Sequence, residues 1–251
     1  MTATAFLGVG TMGHGMATSA LRAGIPTIVW NRESRATRDL AELGADVAET
    51  AADAARRAEI VVTMVTDAGA VISIARDQGM LAALAPGTIW VQMSTIGVEG
   101  IERVAALVEA ERPEVILLDA PVSGSKVPAE QGQLTIFASG PEGVRSSVDP
   151  LFEALGRRTI WVGAVGAGSR LKLVNNTWLA FTSEAVASPI ALARRLGLGT
   201  ETVVGALDGS TLVSPWQAAK LQRIAQDDYS AQFGLSGSVW LCCGYMQAEE
   251  E

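Results

Sequence analysis

Histidine and cysteine are almost missing from this chain. His14 is the one histidine, and the two cysteines, Cys242 and Cys243, are neighbours. A lone imidazole argues against a multi-histidine metal centre and against a histidine-based triad. Adjacent cysteines offer neither a disulfide framework nor metal-ligand spacing, so no metal is expected. Aromatic residues are few at 5%, as in alanine-, valine- and glycine-rich α/β proteins. No apolar run reaches the length of a membrane span, and no charged region precedes an apolar one at the N-terminus. A net charge of -8 argues against nucleic acid as a partner, because phosphate binding needs a basic surface. The expectation is a soluble, acidic, cytoplasmic protein with neither membrane nor nucleic acid as partner.

What the chain does have is alternation. Short β-rich runs stand at Thr4–Val9, Pro26–Asn31, Glu59–Val65, Thr88–Met93, Val115–Asp119, Leu134–Ser139 and Arg158–Gly163. Helix-like stretches such as Gly79–Leu84 and Gly100–Ala110 lie between them. Several of the runs are apolar throughout, as strands covered on both faces are. The pattern predicts a parallel, doubly wound sheet of Rossmann type over residues 1–164. From Leu171 to Leu196 there is no strand signal, only a helical pattern interrupted by Pro189. Such a helix is roughly 40 Å long, too long for a crossover over a sheet. It is therefore expected to begin a second, all-helical domain, 165–251, with Pro189 kinking it or ending its first segment near Ser188.

The first strand runs into "GVGTMGHGM", which supplies Gly8, Gly10 and Gly13 in the G-x-G-x-x-G spacing and opens a helix. Glycines there permit a tight turn and close backbone approach, and the helix N-terminus faces a pyrophosphate. This context points to a dinucleotide. His14, one residue further on, is read as a solvent-facing helix residue without a role. The second strand ends "VWNRESR". An NAD site commonly has an acidic residue at this point for the ribose 2′-hydroxyl. Here Asn31 is neutral, and Arg32 with Arg35 suits a 2′-phosphate, although the two arginines also fit an ordinary solvated turn and Glu33 lies between them. NADP(H) is favoured and NAD(H) remains possible.

Ligands of an open parallel sheet lie at the carboxyl ends of its strands. Those ends read "MVTDAG" from Met64, "MSTIG" from Met93 and "DAPVSGS" from Asp119. Ser94 or Thr95 equally fits simple helix capping. Ser123, Gly124 and Ser125 bring hydroxyls and backbone N–H groups together, the composition of an anion-binding nest. Lys172 and Asn176 then stand one turn apart at the start of the long helix, with Asn175 between them. A helix start is a poor place for a cation. The lysine is either a surface residue or a desolvated proton donor to a carbonyl oxygen.

"GVGTMGHGMA", "DAPVSGS" and "GAGSRLKLVNN", in this order, resemble the β-hydroxyacid dehydrogenases, from residue 4 to about residue 233. That family includes 3-hydroxyisobutyrate and 6-phosphogluconate dehydrogenases and the glyoxylate/succinic semialdehyde reductases, and "SGSKVPAEQGQL" resembles the last branch more than the hydroxyisobutyrate branch. The resemblance implies that Gly8, Gly10, Thr11, Met12 and Gly13 hold the dinucleotide, with Asn31 and Arg32 beside the ribose. It implies further that Met64, Val65 and Thr95 line the nicotinamide end and that Ser123 and Gly124, with Thr95, bind a small carboxylate-bearing substrate. Lys172 is then the general acid/base and Asn176 its partner, in a homodimer or higher homo-oligomer. Two other readings stay open: an imine reductase of the same architecture, and a cofactor-binding remnant without activity. The second arises because "YSAQFGLS" follows the family only as far as Ser236, after which the tail is atypical from about residue 237.

Overall fold

The structure, a computed structural model, describes residues 2–229. The atypical tail expected after Ser236 lies outside them. The chain divides into two compact units, with the boundary between Lys172 and Leu173.

The first unit runs β1 (Thr4–Leu7), α1 (Thr11–Arg22), β2 (Thr27–Trp30), α2 (Arg38–Glu42), β3 (Asp46–Val47), α3 (Ala51–Arg56) and β4 (Ile60–Thr63). It continues through α4 (Ala68–Ala75), α5 (Met80–Ala83), β5 (Ile89–Gln92), α6 (Gly97–Glu111), β6 (Ile116–Asp119) and β7 (Val122–Ser123). Then come α7 (Lys126–Glu130), β8 (Leu134–Ala138), α8 (Arg145–Leu155), β9 (Gly156–Trp161) and the first turns of α9 (Ala167–Arg195).

Six strands form a parallel sheet in the order β3-β2-β1-β4-β5-β6. Phe6 of β1 stands opposite Val29 of β2 and Val62 of β4. Successive side chains point to opposite faces of a strand. Phe6, Val29, Val62, Val91 and Leu118 accordingly pack on one side with Met16, Ala17 and Ala20 of α1 and with Val148, Leu151 and Phe152 of α8. Ala5, Ile28, Val61, Trp90 and Leu117 pack on the other with α3, α5 and α6. Both faces are covered, which is why these strands show no polar alternation. The chain direction across the sheet reverses between β1 and β4, and that switch point is where such folds bind ligands.

The expected single sheet is corrected in one respect. β8 and β9 belong to a second sheet, β7-β8-β9, in which β7 is antiparallel to β8 and β9 is parallel to it. Only ten residues separate β7 from β8, too few for the crossover that parallel pairing requires, whereas α8 supplies that crossover between β8 and β9. The strands β3 and β7, two residues each, carry no pattern long enough to be read from sequence.

In the second unit, α9 continues and is followed by α10 (Thr200–Leu207) and α11 (Pro215–Ala225). Helix α9 does not end near Ser188: it runs through Pro189 to Arg195. The proline ring removes one main-chain bond, and the bonds on either side carry the helix on. Val186, Ile190 and Leu221 form a small core among the described residues, with Val203, Val204 and Leu207 packed against it. Helix α11 opens with a capping box between Ser214 and Gln217 and has proline in its first turn. No helix among the described residues is long and apolar enough to cross a membrane.

Candidate active site

The glycine turn sits at the switch point, and its three fingerprint glycines are there for different reasons. Gly8 has φ of 94°, in the left-handed region, and a Cβ on it would lie 2.5 Å from the carbonyl oxygen of Met64 and 2.5 Å from Val65 Cγ1. A Cβ on Gly13 would sit 2.0 Å from the carbonyl oxygen of Gly8. These two let main chain pack on main chain. Gly10, the N-cap of α1, has no atom within 4 Å of its absent side chain. No side chain caps α1 and no acidic residue stands in its first turn. The first N–H groups of a helix have no partner within it, and at its positive end they are the donors a pyrophosphate needs. Thr11 is exposed and Met12 half-buried beside them.

Asn31 has a structural task of its own. Its Oδ1 accepts the Val9 N–H at 3.1 Å and its Nδ2 donates to the Glu33 carbonyl at 3.1 Å, so one amide ties the end of β2 to the glycine turn. An aspartate there would lack the second bond. Arg35 is held by the Glu33 carboxylate at 2.8 and 3.0 Å. Arg32 is exposed and, among the described residues, makes no side-chain hydrogen bond or ion pair.

The exits of β4 and β5 are tied together. The Val65 N–H donates to Ser94 Oγ at 2.9 Å, and the Gln92 side-chain amide closes on both the N–H and the C=O of Ser94 at 2.8 Å. Neither Ser94 nor Thr95 caps α6, whose N-cap is Ile96 with no side-chain bond. Ser94 holds the loops, and Thr95 beside it is half-buried. Met64 and Val65 abut Gly8, so the structure gathers Gly8, Gly10, Thr11, Met12, Gly13, Asn31, Met64, Val65 and Thr95 at one end of the sheet.

Ser123 lies in β7 opposite Thr135, and Gly124 follows it with φ of 146°. The helix just beyond, α7, is docked on α1. Ser19 Oγ donates to the Ala129 carbonyl at 2.8 Å and Arg22 to that of Glu130 at 2.8 Å. A Cβ on Gly15 would meet the Glu130 nitrogen at 2.9 Å. The segment bearing Ser123 and Gly124 is thereby fastened to the helix that carries the glycine turn.

Lys172 is half-buried on α9, five residues beyond the helix's first, Ala167. Burial lowers its pKa from the ordinary 10.5 to about 8, and no carboxylate acts to raise it again. Asn176 is buried one turn further along the same helix, and its Oδ1 accepts from Asn175 at 3.5 Å. The start of α9 is fixed by residues that sequence reasoning missed. Asp119 Oδ2 accepts the Ser169 N–H at 2.7 Å and Oδ1 the Ser169 hydroxyl at 2.8 Å. Ser139 Oγ accepts the Gly168 N–H at 2.9 Å. The one sequence signal was an acid ending an apolar strand, which equally describes a solvated turn.

The arrangement presents a glycine turn suited to a dinucleotide and a half-buried amine whose pKa is lowered by burial. Residues 3–163 match the NAD binding domain of 6-phosphogluconate dehydrogenase, and residues 166–238 match the NAD-binding domain of NADP-dependent 3-hydroxyisobutyrate dehydrogenase. The chain belongs to the 3-hydroxyisobutyrate dehydrogenase family. Among its family relatives is glyoxylate/succinic semialdehyde reductase 1 of Arabidopsis thaliana, 31% identical over 231 residues, which are 92% of this chain and 79% of that protein. The NAD-dependent L-serine dehydrogenase of Pseudomonas aeruginosa is 33% identical over 241 residues, 93% of this chain and 80% of its own. The solved 3-hydroxyisobutyrate dehydrogenase of Mycobacterium tuberculosis with L-serine superposes with a TM-score of 0.85 at 30% identity, over 99% of this chain and 86% of that one. Both matched models are NAD-binding domains, these three relatives are named as dehydrogenases or a reductase, and this chain has the Rossmann-type sheet followed by a helical region.

Proposed function

We propose that this chain is an NADPH-preferring reductase of small carboxylate-bearing oxo acids or semialdehydes, with Lys172 as the general acid. The observation that carries the reading is Lys172 itself: a half-buried amine, on the helix of the family's "GSRLKLVNN" motif, brought to about 8 by burial alone. An amine that titrates near neutral pH gives up a proton readily. Gly8, Gly10, Thr11, Met12 and Gly13 would hold the dinucleotide, with Met64, Val65 and Thr95 at its nicotinamide end. When bound, that cofactor supplies the hydride. Ser123 and the Gly124 main chain would fix the substrate carboxylate, and Asn176 would orient the ammonium or the substrate hydroxyl. Lys172 Nζ donates its proton to the carbonyl oxygen as negative charge develops there, and takes it back in the reverse direction.

The preference for NADPH rests on Arg32, an exposed guanidinium without a partner among the described residues, beside a neutral Asn31, while Glu33 occupies Arg35. Oxidation of NADPH and of NADH by the purified chain, with glyoxylate, succinic semialdehyde, tartronate semialdehyde and methylmalonate semialdehyde, tests the reading. Lys172→Ala is expected to abolish reduction and leave the NADPH fluorescence titration unchanged. Turnover by Lys172→Ala close to that of the parent would sink it.

A further inference from the structure

Two sequence motifs meet at a buried carboxylate. Asp119 ends β6 and opens the segment that leads to Ser123 and Gly124, and its surface is fully covered. Both of its oxygens are spent on one residue of α9, Ser169, at 2.7 and 2.8 Å. Ser139, at the end of β8, adds a hydroxyl 3.3 Å from Asp119 Oδ2 and 3.1 Å from the Asp119 carbonyl oxygen, and it takes the N–H of Gly168 at 2.9 Å. Two of the N–H groups that a helix start leaves open are therefore closed by groups from β6 and β8. There is no slack, since a Cβ on Gly168 would lie 2.3 Å from the Phe137 carbonyl oxygen.

Burial raises the proton affinity of Asp119, and the bonds from Ser169 and Ser139 oppose that rise. A carboxylate in such a place serves the contacts it makes. Its negative charge complements the positive end of α9, and charge-assisted bonds hold geometry more tightly than neutral ones. Asparagine would present N–H to donors and keep only part of the set. Lys172 follows Ser169 by three residues, close to one turn, on the same face of the helix. A rotation of α9 at Ser169 is thus a displacement of Lys172.

We propose that Asp119 is a positioning residue for the proton transfer: through Ser169 it sets the rotation of α9, and so the place where Lys172 Nζ is offered to a substrate held by the adjoining Ser123–Gly124 segment. The inference rests on the assignment of Lys172 as the general acid. Misplacing a reacting group by about 1 Å costs on the order of a hundredfold in rate.

The test compares Asp119→Asn, Ser169→Ala and Ser169→Thr with the parent and with Lys172→Ala. Ser169→Ala and Asp119→Asn should lower kcat at least roughly tenfold, with the NADPH Kd unchanged, because the glycine turn is untouched. Ser169→Thr keeps the hydroxyl and should restore most of the rate. In the free chain, the pH dependence of acetic anhydride labelling at Lys172 should move upward from about 8 in Ser169→Ala as the amine leaves its buried place. Should Asp119→Asn fail to fold, Ser169→Ala decides. Parent-like kcat and labelling in Ser169→Ala, beside an inactive Lys172→Ala, would overturn this inference alone. An active Lys172→Ala would overturn the assignment beneath it.

Discussion

As the proposed general acid, Lys172 would make the reaction pH-dependent in a direction fixed by its own protonation. The reductive direction needs the ammonium, so kcat/KM for reduction should fall as pH rises through about 8. The oxidative direction needs the free amine and should rise over the same interval; flat profiles in both directions would remove Lys172 from the proton path. Stability carries the same signature. The folded pKa lies below the ordinary 10.5, so between about 8 and 10.5 the unfolded chain binds more protons, and stability increases with pH. Lys172→Met, which cannot be protonated, should melt a few degrees higher than the parent near neutral pH, and the gap should shrink as pH approaches 10.5. At the other end of the site, Arg32→Ala should lower kcat/KM for NADPH about tenfold or more and leave that for NADH nearly unchanged. Both residues stood out in the sequence as candidates because each breaks a local rule: a cation at a helix start, and an arginine where an acid is common. Asp119 was not legible. Its partners come from the residue just after β8 and from α9, 20 and 50 residues away along the chain.

The β1–α1 turn separates two uses of glycine that a motif alone cannot. Gly13→Ala drives a methyl into the Gly8 main chain, so it should lower Tm and weaken NADPH binding together. Gly10→Ala meets open space, so Tm should stay within a degree or two while NADPH affinity falls. Thermal melts paired with fluorescence titrations separate the cases, and equal losses of Tm in both variants would contradict the packing described. At this scale the sequence yields the parallel strands, whose apolar runs follow from cover on both faces. It does not yield β7 or the antiparallel pair, because two residues hold no periodicity and the pairing is decided by the short return between β7 and β8. Of the two outcomes expected at Pro189, an end near Ser188 does not occur: the ring removes one bond, and the surrounding turns of α9 outlast it.

Stability is unevenly shared along the chain. Two large apolar clusters sandwich the six-stranded sheet, whereas the core described in the second unit centres on Val186, Ile190 and Leu221. Amide hydrogen exchange should therefore be slowest in β1, β4 and β5 and orders of magnitude faster in α10 and α11, and NADPH should add protection around residues 8–16. Uniform exchange across both units would refute this. The division into an α/β part and a helical part was readable from the loss of strand signal, since that depends on composition over tens of residues. The way α7 is fastened has a use in engineering. The stretch between Gly124 and Leu134 is anchored by the Ser123–Thr135 register before it and by Ser19 and Gly15 of α1 beneath it. It should therefore serve as an exchangeable cassette: a segment grafted from another member of the family is expected to inherit its placement, provided that it brings a small residue to rest on Gly15 and a carbonyl for Ser19.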